Sequence, residues 1–152
     1  MRSQGRPSKF TVGKKPLRRH GQSLIVLVDP ATNEFIGTCP EFSKADTEEA
    51  IRTAEAAFNL FRSTSARERA RMLQIWYRLM MENSEDLARL ITWESGKALV
   101  DARSEVTYAA SFLEWFSEEA PRTYGDVIPS SIPDNRVFTL KEPIGVCGLI
   151  TP

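Results

Sequence analysis

The apolar run VCGLIT at 146–151 is the feature that most constrains the fold of this chain. It follows the turn-forming Pro143 and Gly145, and it is continuously apolar where a half-exposed strand would alternate. Such a run is typical of a strand that is covered on both faces in a parallel sheet. A parallel strand needs a crossover helix and a parallel neighbour. No such elements follow the run, so we expect an α/β fold that is incomplete within these 152 residues.

Two helices with clear start signals are predicted upstream of this run. Residues 43–46 (SKAD) and 65–68 (SARE) both have the capping-box pattern, in which side chains three residues apart satisfy backbone N–H groups. The apolar positions that follow recur at helical spacing. They are Ala50, Ile51, Ala54, Ala57 and Phe58 in the first helix, and Met72, Leu73, Trp76, Leu79 and Met80 in the second.

Two further helices follow in the sequence. Asn83 can cap the third helix, and Gly96 is a natural left-handed residue at its end. The fourth helix is predicted from about Leu99 to Ala120, and Pro121 should end or kink it because proline has no backbone N–H. The predicted apolar stripe of the fourth helix is Val106, Ala109, Ala110, Phe112, Leu113 and Phe116.

Short strands flank the helical region. LIVLV at 24–28, the turn DPATNE and FIGTC at 35–39 indicate a β-hairpin. The stretch at 125–135 is rich in turn-forming residues. After it, RVFTLKE at 136–142 alternates polar and apolar residues, and this period of two predicts another strand.

Charge is distributed unevenly along the chain. The totals balance, at 20 Lys plus Arg and 20 Asp plus Glu, but residues 1–28 hold seven of the basic side chains and no carboxylate. The remaining chain is therefore acidic, which argues against a nucleic-acid-binding body. The basic tail is compatible with disorder or a misassigned start, with a transit-like extension, or with a nucleic-acid contact. No run of 18 or more apolar residues occurs, so we expect no membrane span.

The two cysteines show no sign of catalytic or metal-binding use. Cys39 and Cys147 form no CxxC pair, and the single histidine, His20, lies in the basic tail, so metal-ligand spacing is absent. Cys147 lies in an apolar run without a nearby base, which favours a buried structural thiol over a nucleophile. Two thiols without a secretory signal indicate a reducing compartment, cytoplasmic or mitochondrial.

Several long motifs, in order, resemble the amino-terminal part of the aldehyde dehydrogenase superfamily from about Val28 to Pro152. Within the superfamily they look most like succinate-semialdehyde dehydrogenases. In the family the ITP that closes this sequence is followed by Trp and Asn. The motifs are VDPATNEFIGTCPEF at 28–42, ARERARMLQIWYRLMMENSEDLARLITWESGKAL at 66–99, ASFLEWFSEEAPRTYGDVIP at 110–129 and KEPIGVCGLITP at 141–152.

The resemblance implies a domain assignment. Residues 1–23 would be an extension, and 24–135 would be the helical part of an NAD(P)-binding domain. Residues 136–142 would contribute a strand to an oligomerisation arm. Residues 143–152 would be the first strand of a Rossmann-type nucleotide-binding sheet, in a family whose members are homo-oligomers.

The resemblance also implies a reaction, the oxidation of succinate semialdehyde to succinate with NAD or NADP, as in 4-aminobutyrate degradation. Family members use a nucleophilic cysteine and a general-base glutamate. Both lie beyond Pro152 in the family pattern, so we expect no catalytic residue within this sequence. The 152 residues alone should be inactive and should bind NAD or NADP poorly.

The resemblance suggests two groups of site residues. Ile150, Thr151 and Pro152 would border the nicotinamide ribose, because ligands of open α/β sheets lie outside the carboxyl ends of strands. Phe116 and Trp115 would line the tunnel of the small aldehyde substrate, although aromatic residues at helical spacing are also typical of a core.

Charged residues near the fourth helix have simpler interpretations. Glu114, Glu118 and Glu119 are expected on a solvated face. Arg122 could attract a carboxylate-bearing aldehyde or be an ordinary surface charge.

Two alternative functions stay open at this point. The chain could be a non-catalytic interaction module that docks on full-length subunits through its helical faces and the 136–142 strand. It could also be a small helical protein with a basic arm for RNA or DNA, against which the acidic body argues. The leading hypothesis has no nucleic-acid and no membrane partner.

Overall fold

The structure is a computed structural model that describes residues 23–151. It combines four α-helices with two small antiparallel sheets, so the mixed helix and sheet class predicted from the sequence is confirmed. Predictions about the basic tail lie outside the described residues, apart from Ser23. The elements are β1 (Leu24–Val28), β2 (Phe35–Pro40), α1 (Lys44–Phe61), α2 (Ala66–Glu82), α3 (Ser84–Ser95), α4 (Leu99–Glu119), a 3₁₀ turn (Ala120–Arg122), β3 (Val127–Ile128) and β4 (Val137–Phe138).

The predicted hairpin is confirmed. β1 and β2 pair antiparallel, with Leu24 opposite Pro40. Asp29 closes the turn, because its carbonyl accepts from the Asn33 N–H at 2.8 Å and its N–H donates to the Glu34 carbonyl at 2.9 Å. Asn33 has a φ of 59°, which asparagine tolerates better than most residues.

Both predicted capping boxes are formed. The Ser43 hydroxyl accepts from the Asp46 N–H at 3.3 Å, and the Asp46 carboxylate accepts from the Ser43 N–H at 2.8 Å. Ser65 and Glu68 form the same arrangement at the start of α2. The Glu68 N–H donates to the Ser65 hydroxyl at 3.2 Å, and the Ser65 N–H donates to the Glu68 carboxylate at 3.0 Å. The Ser65 hydroxyl and N–H both donate to the Glu68 carboxylate and lower its pKa. Each box satisfies backbone donors that a helix start leaves unpaired.

Asn83 is the N-cap residue of α3, as predicted, and its carbonyl accepts from the Leu87 N–H at 3.0 Å. Its side chain makes no capping hydrogen bond to α3, and its Nδ2 donates to the Leu79 carbonyl at 2.6 Å. Asn83 therefore satisfies the carboxyl end of α2, since α2 and α3 share this residue as their junction. Gly96 ends α3 with a φ of 73°, as predicted.

The buried core lies where α3 and α2 pack against α4. Small residues line this contact, and alanine lets helix backbones approach closely. Ala88 of α3 packs against Ala102 and Val106 of α4, with Leu87, Ile91 and Leu99 at the margin. In contrast, α1 has no buried residue, and Met72, Trp76 and Leu79 of α2 are half-exposed or more. Much of the apolar stripes of α1 and α2 is thus left uncovered by residues 23–151.

Proline ends the fourth helix where predicted. Helix α4 stops at Glu119, and Pro121 lies in the 3₁₀ turn that follows. Beyond it, β3 pairs with β4 antiparallel, with Val127 opposite Phe138. The strand predicted at 136–142 is therefore much shorter, since only Val137–Phe138 forms β4. Its partner β3 lies within 125–135, where the sequence predicts only turns.

The strand predicted at 143–152 is not formed in the described residues. Residues 143–151 have no regular secondary structure, and Ile144, Leu149 and Ile150 are almost fully exposed. The physical reason is pairing, because a strand needs a neighbour for its backbone N–H and C=O groups. No described residue supplies that neighbour. A place for this segment in a nucleotide-binding sheet stays a prediction.

Candidate functional site

Helix α4 carries two apolar stripes. Ala102, Val106 and Ala110 recur every four residues and are buried on the side that packs against α2 and α3. At 3.6 residues per turn, a second stripe lies on another, exposed side of the helix. Its side chains, which we call the aromatic face, are each between 46% and 67% exposed: Tyr108, Phe112, Trp115 and Phe116.

A shallow cavity of about 590 Å³ runs along the aromatic face. The ring centroids of Tyr108 and Phe112 lie 4.9 Å apart with planes at 80°. This edge-to-face arrangement is favourable because the positive edge of one ring meets the negative face of the other. The two predicted tunnel residues, Trp115 and Phe116, line the same cavity together with Ser111, Glu114 and Glu118. Their use as a tunnel stays a prediction.

Ion pairs hold the charged groups at both ends of the aromatic face. Lys97 pairs with Glu105 near the start of α4. Arg122 donates from Nη1 to Glu119 Oε1 at 2.6 Å at its end. Arg122 is therefore engaged locally, which fits the surface-charge interpretation of this residue. The negative charges bordering the aromatic face are partly neutralised within the chain itself.

Glu114 and Glu118 are exposed, in agreement with the predicted solvated face. Both also line a polar groove of about 480 Å³ between α4 and α2. Arg71 and Arg78 of α2 lie on the other side of this groove. Two arginines therefore face two glutamates across the groove, and their charges balance, so the groove has no marked preference for an anion or a cation.

The predicted cofactor-binding residues are not joined to the aromatic face. Ile150 and Thr151 are exposed, and neither lines the cavity on α4. Pro152 lies outside the described residues. Because no sheet edge is built around Ile150 and Thr151, their contact with a nucleotide stays a prediction.

Neither cysteine is arranged as a nucleophile within residues 23–151. Cys39 is in β2, opposite Ile25 of β1. Cys147 is exposed, and its Sγ lies 3.7 Å from the Gly145 carbonyl, with no basic side chain bonded to it. The exposure of Cys147 corrects the prediction of a buried thiol, because the strand that would have buried it is not formed. An activated cysteine needs a base or another cation close by.

The strongest electrostatic cluster joins α3 to α4. Arg103 donates from Nε and Nη2 to both carboxylate oxygens of Glu85, at 2.8 and 2.9 Å. Arg89 adds a contact of 3.2 Å one turn along α3. The hydrogen bond from Arg103 is the main cause that lowers the pKa of Glu85 to about 2. This cluster joins the two helices, and none of its three residues lines the cavity on the aromatic face.

Sequence reasoning missed Tyr108 and misplaced Phe112. Both were available from the periodicity, since positions 108, 112, 115 and 116 follow the i, i+4, i+7, i+8 spacing of one helix face. The prediction merged Phe112 with Val106 and Ala110 into one stripe. Two separate stripes on one helix are the signal that distinguishes an interior helix from a surface one.

Residues 23–151 contain no group of three or more His, Cys, Asp or Glu side chains that could hold a metal ion. Over the same residues, no helix combines the length and apolar character that a bilayer crossing requires.

Sequence comparison finds a match to the aldehyde dehydrogenase family over residues 18–152. A glutarate-semialdehyde dehydrogenase of Pseudomonas putida is 50% identical over 88% of this chain and 28% of that protein. An NADP(+) succinate-semialdehyde dehydrogenase of Saccharomyces cerevisiae is 51% identical over 83% of this chain and 25% of that protein. The chain thus spans about a quarter of the length of the curated relatives it matches.

Structure comparison agrees with the sequence. The crystal structure of a succinate-semialdehyde dehydrogenase from Burkholderia pseudomallei is 46% identical, with a TM-score of 0.78. The match covers 82% of this chain and 26% of that chain. The arrangement of helices and small sheets described above is therefore that of the amino-terminal part of these enzymes.

Proposed function

The chain belongs to the aldehyde dehydrogenase family, and on that premise we propose that it is part of an NAD(P)-dependent enzyme that oxidises a carboxylate-bearing semialdehyde. The observation behind the proposal is the agreement among its relatives. Those at 50% and 51% identity are named for glutarate and succinate semialdehyde, which both have an aldehyde at one end and a carboxylate at the other. We propose succinate semialdehyde as the preferred substrate.

We propose that residues 23–151 contribute structure and no catalytic group. The support is the environment of the two described thiols, since neither Cys39 nor Cys147 is bonded to a basic side chain. The nucleophile and the general base would then come from other parts of the polypeptide, as in the family mechanism. On this proposal the 152 residues alone have no aldehyde dehydrogenase activity.

We propose that the described residues do not form a nucleotide site by themselves. A dinucleotide in an open α/β fold lies against the carboxyl ends of paired parallel strands. Both sheets here are two-stranded and antiparallel, and residues 143–151 are unpaired. We propose that Ile150, Thr151 and Pro152 border NAD or NADP only when the sheet is completed, and that the isolated chain binds either cofactor weakly.

We propose that Phe116 and Trp115 border the path of the aldehyde. The support is their position on the exposed cavity of α4, where both side chains are accessible to a small molecule. Arg122 is engaged by Glu119, so we propose no carboxylate-binding role for it.

We further propose a homo-oligomer in which β4 belongs to an oligomerisation arm. The support is the short β3–β4 pair, whose Val127 and Phe138 side chains are exposed.

Two reducing compartments, the cytoplasm and the mitochondrion, are compatible with Cys39 and Cys147, which are both free thiols.

The proposal is tested on a fused protein in which this chain replaces the matched quarter of the Burkholderia pseudomallei enzyme. Succinate semialdehyde, glutarate semialdehyde and butanal are compared by kcat/KM with NAD and with NADP. We expect the two semialdehydes to exceed butanal at least tenfold, because butanal lacks the carboxylate. Equal kcat/KM values for butanal and succinate semialdehyde would reject the proposed substrate class.

A further inference from the structure

A further cavity, of about 350 Å³, lies where the end of α1, the start of α2 and residues 141–143 come together. It shares no lining residue with the cavity on the aromatic face or with the groove between α4 and α2. Ligand pockets in proteins have volumes of roughly 300–1,000 Å³, so this one suits a small molecule. We call it the basic cavity, because Arg62, Arg69 and Lys141 all line it.

The charge of the basic cavity favours an anion. Glu142 is the one carboxylate among its described lining residues, so three positive side chains accompany one negative side chain, and the formal excess is two positive charges. A cleft lined mainly by one sign of charge concentrates ligands of the opposite sign. A ligand with two negative charges would balance the excess.

The three cations are available to such a ligand. None of them forms a salt bridge within residues 23–151. Arg69 donates from Nη1 to the Thr64 carbonyl, and the guanidinium carbon of Arg62 lies 5.6 Å from the centre of the Phe58 ring. These contacts position the two guanidinium groups and leave most of their N–H donors free. A guanidinium presents its donors as a planar fork that matches a carboxylate or a phosphate.

The basic cavity also has an apolar wall. Phe58, Phe61 and Pro143 line it beside the charged groups. An inorganic anion is hydrated on all sides and gains nothing from such a wall, whereas an apolar stem is stabilised by leaving water for it. The combination of positive charge and apolar lining therefore favours an organic anion over an inorganic one.

We propose that the basic cavity binds a small organic dianion, in which a short apolar stem carries two carboxylates or a phosphate. The charged groups of the ligand would lie against Arg62, Arg69 and Lys141, and its stem would lie against Phe58 and Phe61. The inference goes beyond the proposed enzyme activity and does not rest on it, because it is argued from this cavity alone.

The test is isothermal titration calorimetry on the 152-residue chain at pH 7 and low ionic strength, where screening is weak. Glutarate and phenyl phosphate are the two probes, and they distinguish the dicarboxylate from the phosphate head group. Glutaramide is the control that has the stem of glutarate without its charge, and inorganic phosphate is the control that has charge without a stem.

We expect at least one probe to bind at one site per chain, at least tenfold more tightly than either control. The probe that does so identifies the head group. If neither probe exceeds glutaramide, the cations play no part, and if neither exceeds inorganic phosphate, the apolar wall plays no part. Either result would overturn the proposal.

Neutral replacements of the cations locate the site. Arg62→Gln and Lys141→Gln should each weaken binding of the probe at least fivefold. The matched control is Arg52→Gln, which removes the same charge from an exposed arginine of α1 that pairs with Glu49 at 2.7 Å and does not line the cavity. Lys141 lies outside the helices and strands, so its variant tests the site even where Arg62→Gln disturbs the end of α1. Equal weakening by Arg52→Gln, or unchanged binding in Lys141→Gln, would contradict the proposal.

A replacement of the opposite sign completes the test. Glu142→Gln removes the negative charge from the basic cavity, so we expect it to tighten binding of the probe. Glu55→Gln, which changes an exposed carboxylate of α1 outside the cavity, should leave binding close to that of the unaltered chain. Weaker binding by Glu142→Gln would show that the ligand does not meet the cavity as an anion. Because calorimetry measures binding and not turnover, the outcome is independent of whether the fused protein oxidises semialdehydes.

Discussion

At the scale of single residues, Ser65 shows how one side chain determines where a helix begins. Its hydroxyl accepts from the Glu68 N–H, and no other side chain within residues 23–151 satisfies that donor. We expect Ser65→Ala to lower the free energy of unfolding by about 1 kcal/mol, the usual cost of losing an N-terminal cap. Thermal or urea unfolding of the 152-residue chain measures it.

Ser104→Ala is the matched control for this change. Ser104 is an exposed serine inside α4 whose hydroxyl only donates back to the Val100 carbonyl at 3.2 Å. Alanine is at least as favourable as serine inside a helix. If Ser104→Ala destabilised the chain as much as Ser65→Ala, the capping interpretation would be wrong.

Glu85 gives a pH-dependent prediction. Its pKa is lowered from 4.5 to about 2, mainly by the hydrogen bond from Arg103, so its contribution to stability is complete above pH 4.5 and is lost as the pH falls towards 2. We therefore expect the wild-type chain to melt above Glu85→Gln at pH 7, by a small margin because the pair is exposed. The difference should shrink between pH 4.5 and 2. A margin that stays constant over this range, in melts followed by circular dichroism, would contradict the assignment.

At the scale of elements, the β3–β4 pair depends on close backbone contact at Gly125. A Cβ atom at this position would lie 1.6 Å from the Thr139 carbonyl oxygen, which is far inside van der Waals contact. Two hydrogen bonds also join Thr139 to Asp126. The Thr139 N–H donates to the Asp126 carbonyl at 2.9 Å, and the Thr139 hydroxyl accepts from the Asp126 N–H at 2.9 Å. We expect Gly125→Ala to separate the two strands at a cost of about 1–3 kcal/mol.

Hydrogen exchange at Val137 and Thr139 measures this separation. The amides should exchange markedly faster in Gly125→Ala than in the unaltered chain. Gly148→Ala is the control, because a Cβ there would meet nothing within 4 Å. Unchanged exchange in Gly125→Ala would show that the strands can shift without losing their pairing.

The elements that could be predicted from the sequence are those whose signals are local. The capping boxes at Ser43 and Ser65, the left-handed Gly96 and the proline after α4 all act through residues within one turn, and each was found. Asn83 is the N-cap residue of α3 as predicted, but its side chain bonds to α2, because two helices meet at this residue and the sequence does not indicate which of them the side chain serves. The strands β3 and β4 were harder to predict, because Val127 pairs with Phe138, which lies eleven residues further along the chain.

Part of the candidate site could be predicted, because the residues on one face of α4 follow a local helical spacing. Trp115 and Phe116 were identified through a family resemblance, and the spacing of Tyr108 and Phe112 would have completed the set. The expected cofactor-binding segment could not be placed, because the conformation of 143–151 depends on strand neighbours that no described residue supplies. A sequence can indicate that a strand is apolar without indicating what pairs with it.

At the scale of the whole molecule, few large apolar side chains are buried and many are exposed, which is typical of a segment that packs against further polypeptide. The buried core is small and consists mainly of alanine side chains with Ile36 and Val106, while large apolar side chains on α1, α2 and α4 are exposed. Burial of large apolar groups is the main source of folding stability. We therefore expect the 152-residue chain to be marginally stable and prone to self-association, and its fused form to melt at a higher temperature.

The central proposal is that these residues provide a structural part of an aldehyde dehydrogenase and none of its catalytic groups. The most direct test is to measure reduction of NAD and NADP by the purified 152-residue chain with succinate semialdehyde. We predict no reduction above the buffer background, in the unaltered chain and in the Cys39→Ser, Cys147→Ser variant alike. Aldehyde-dependent reduction by either protein would contradict the claim.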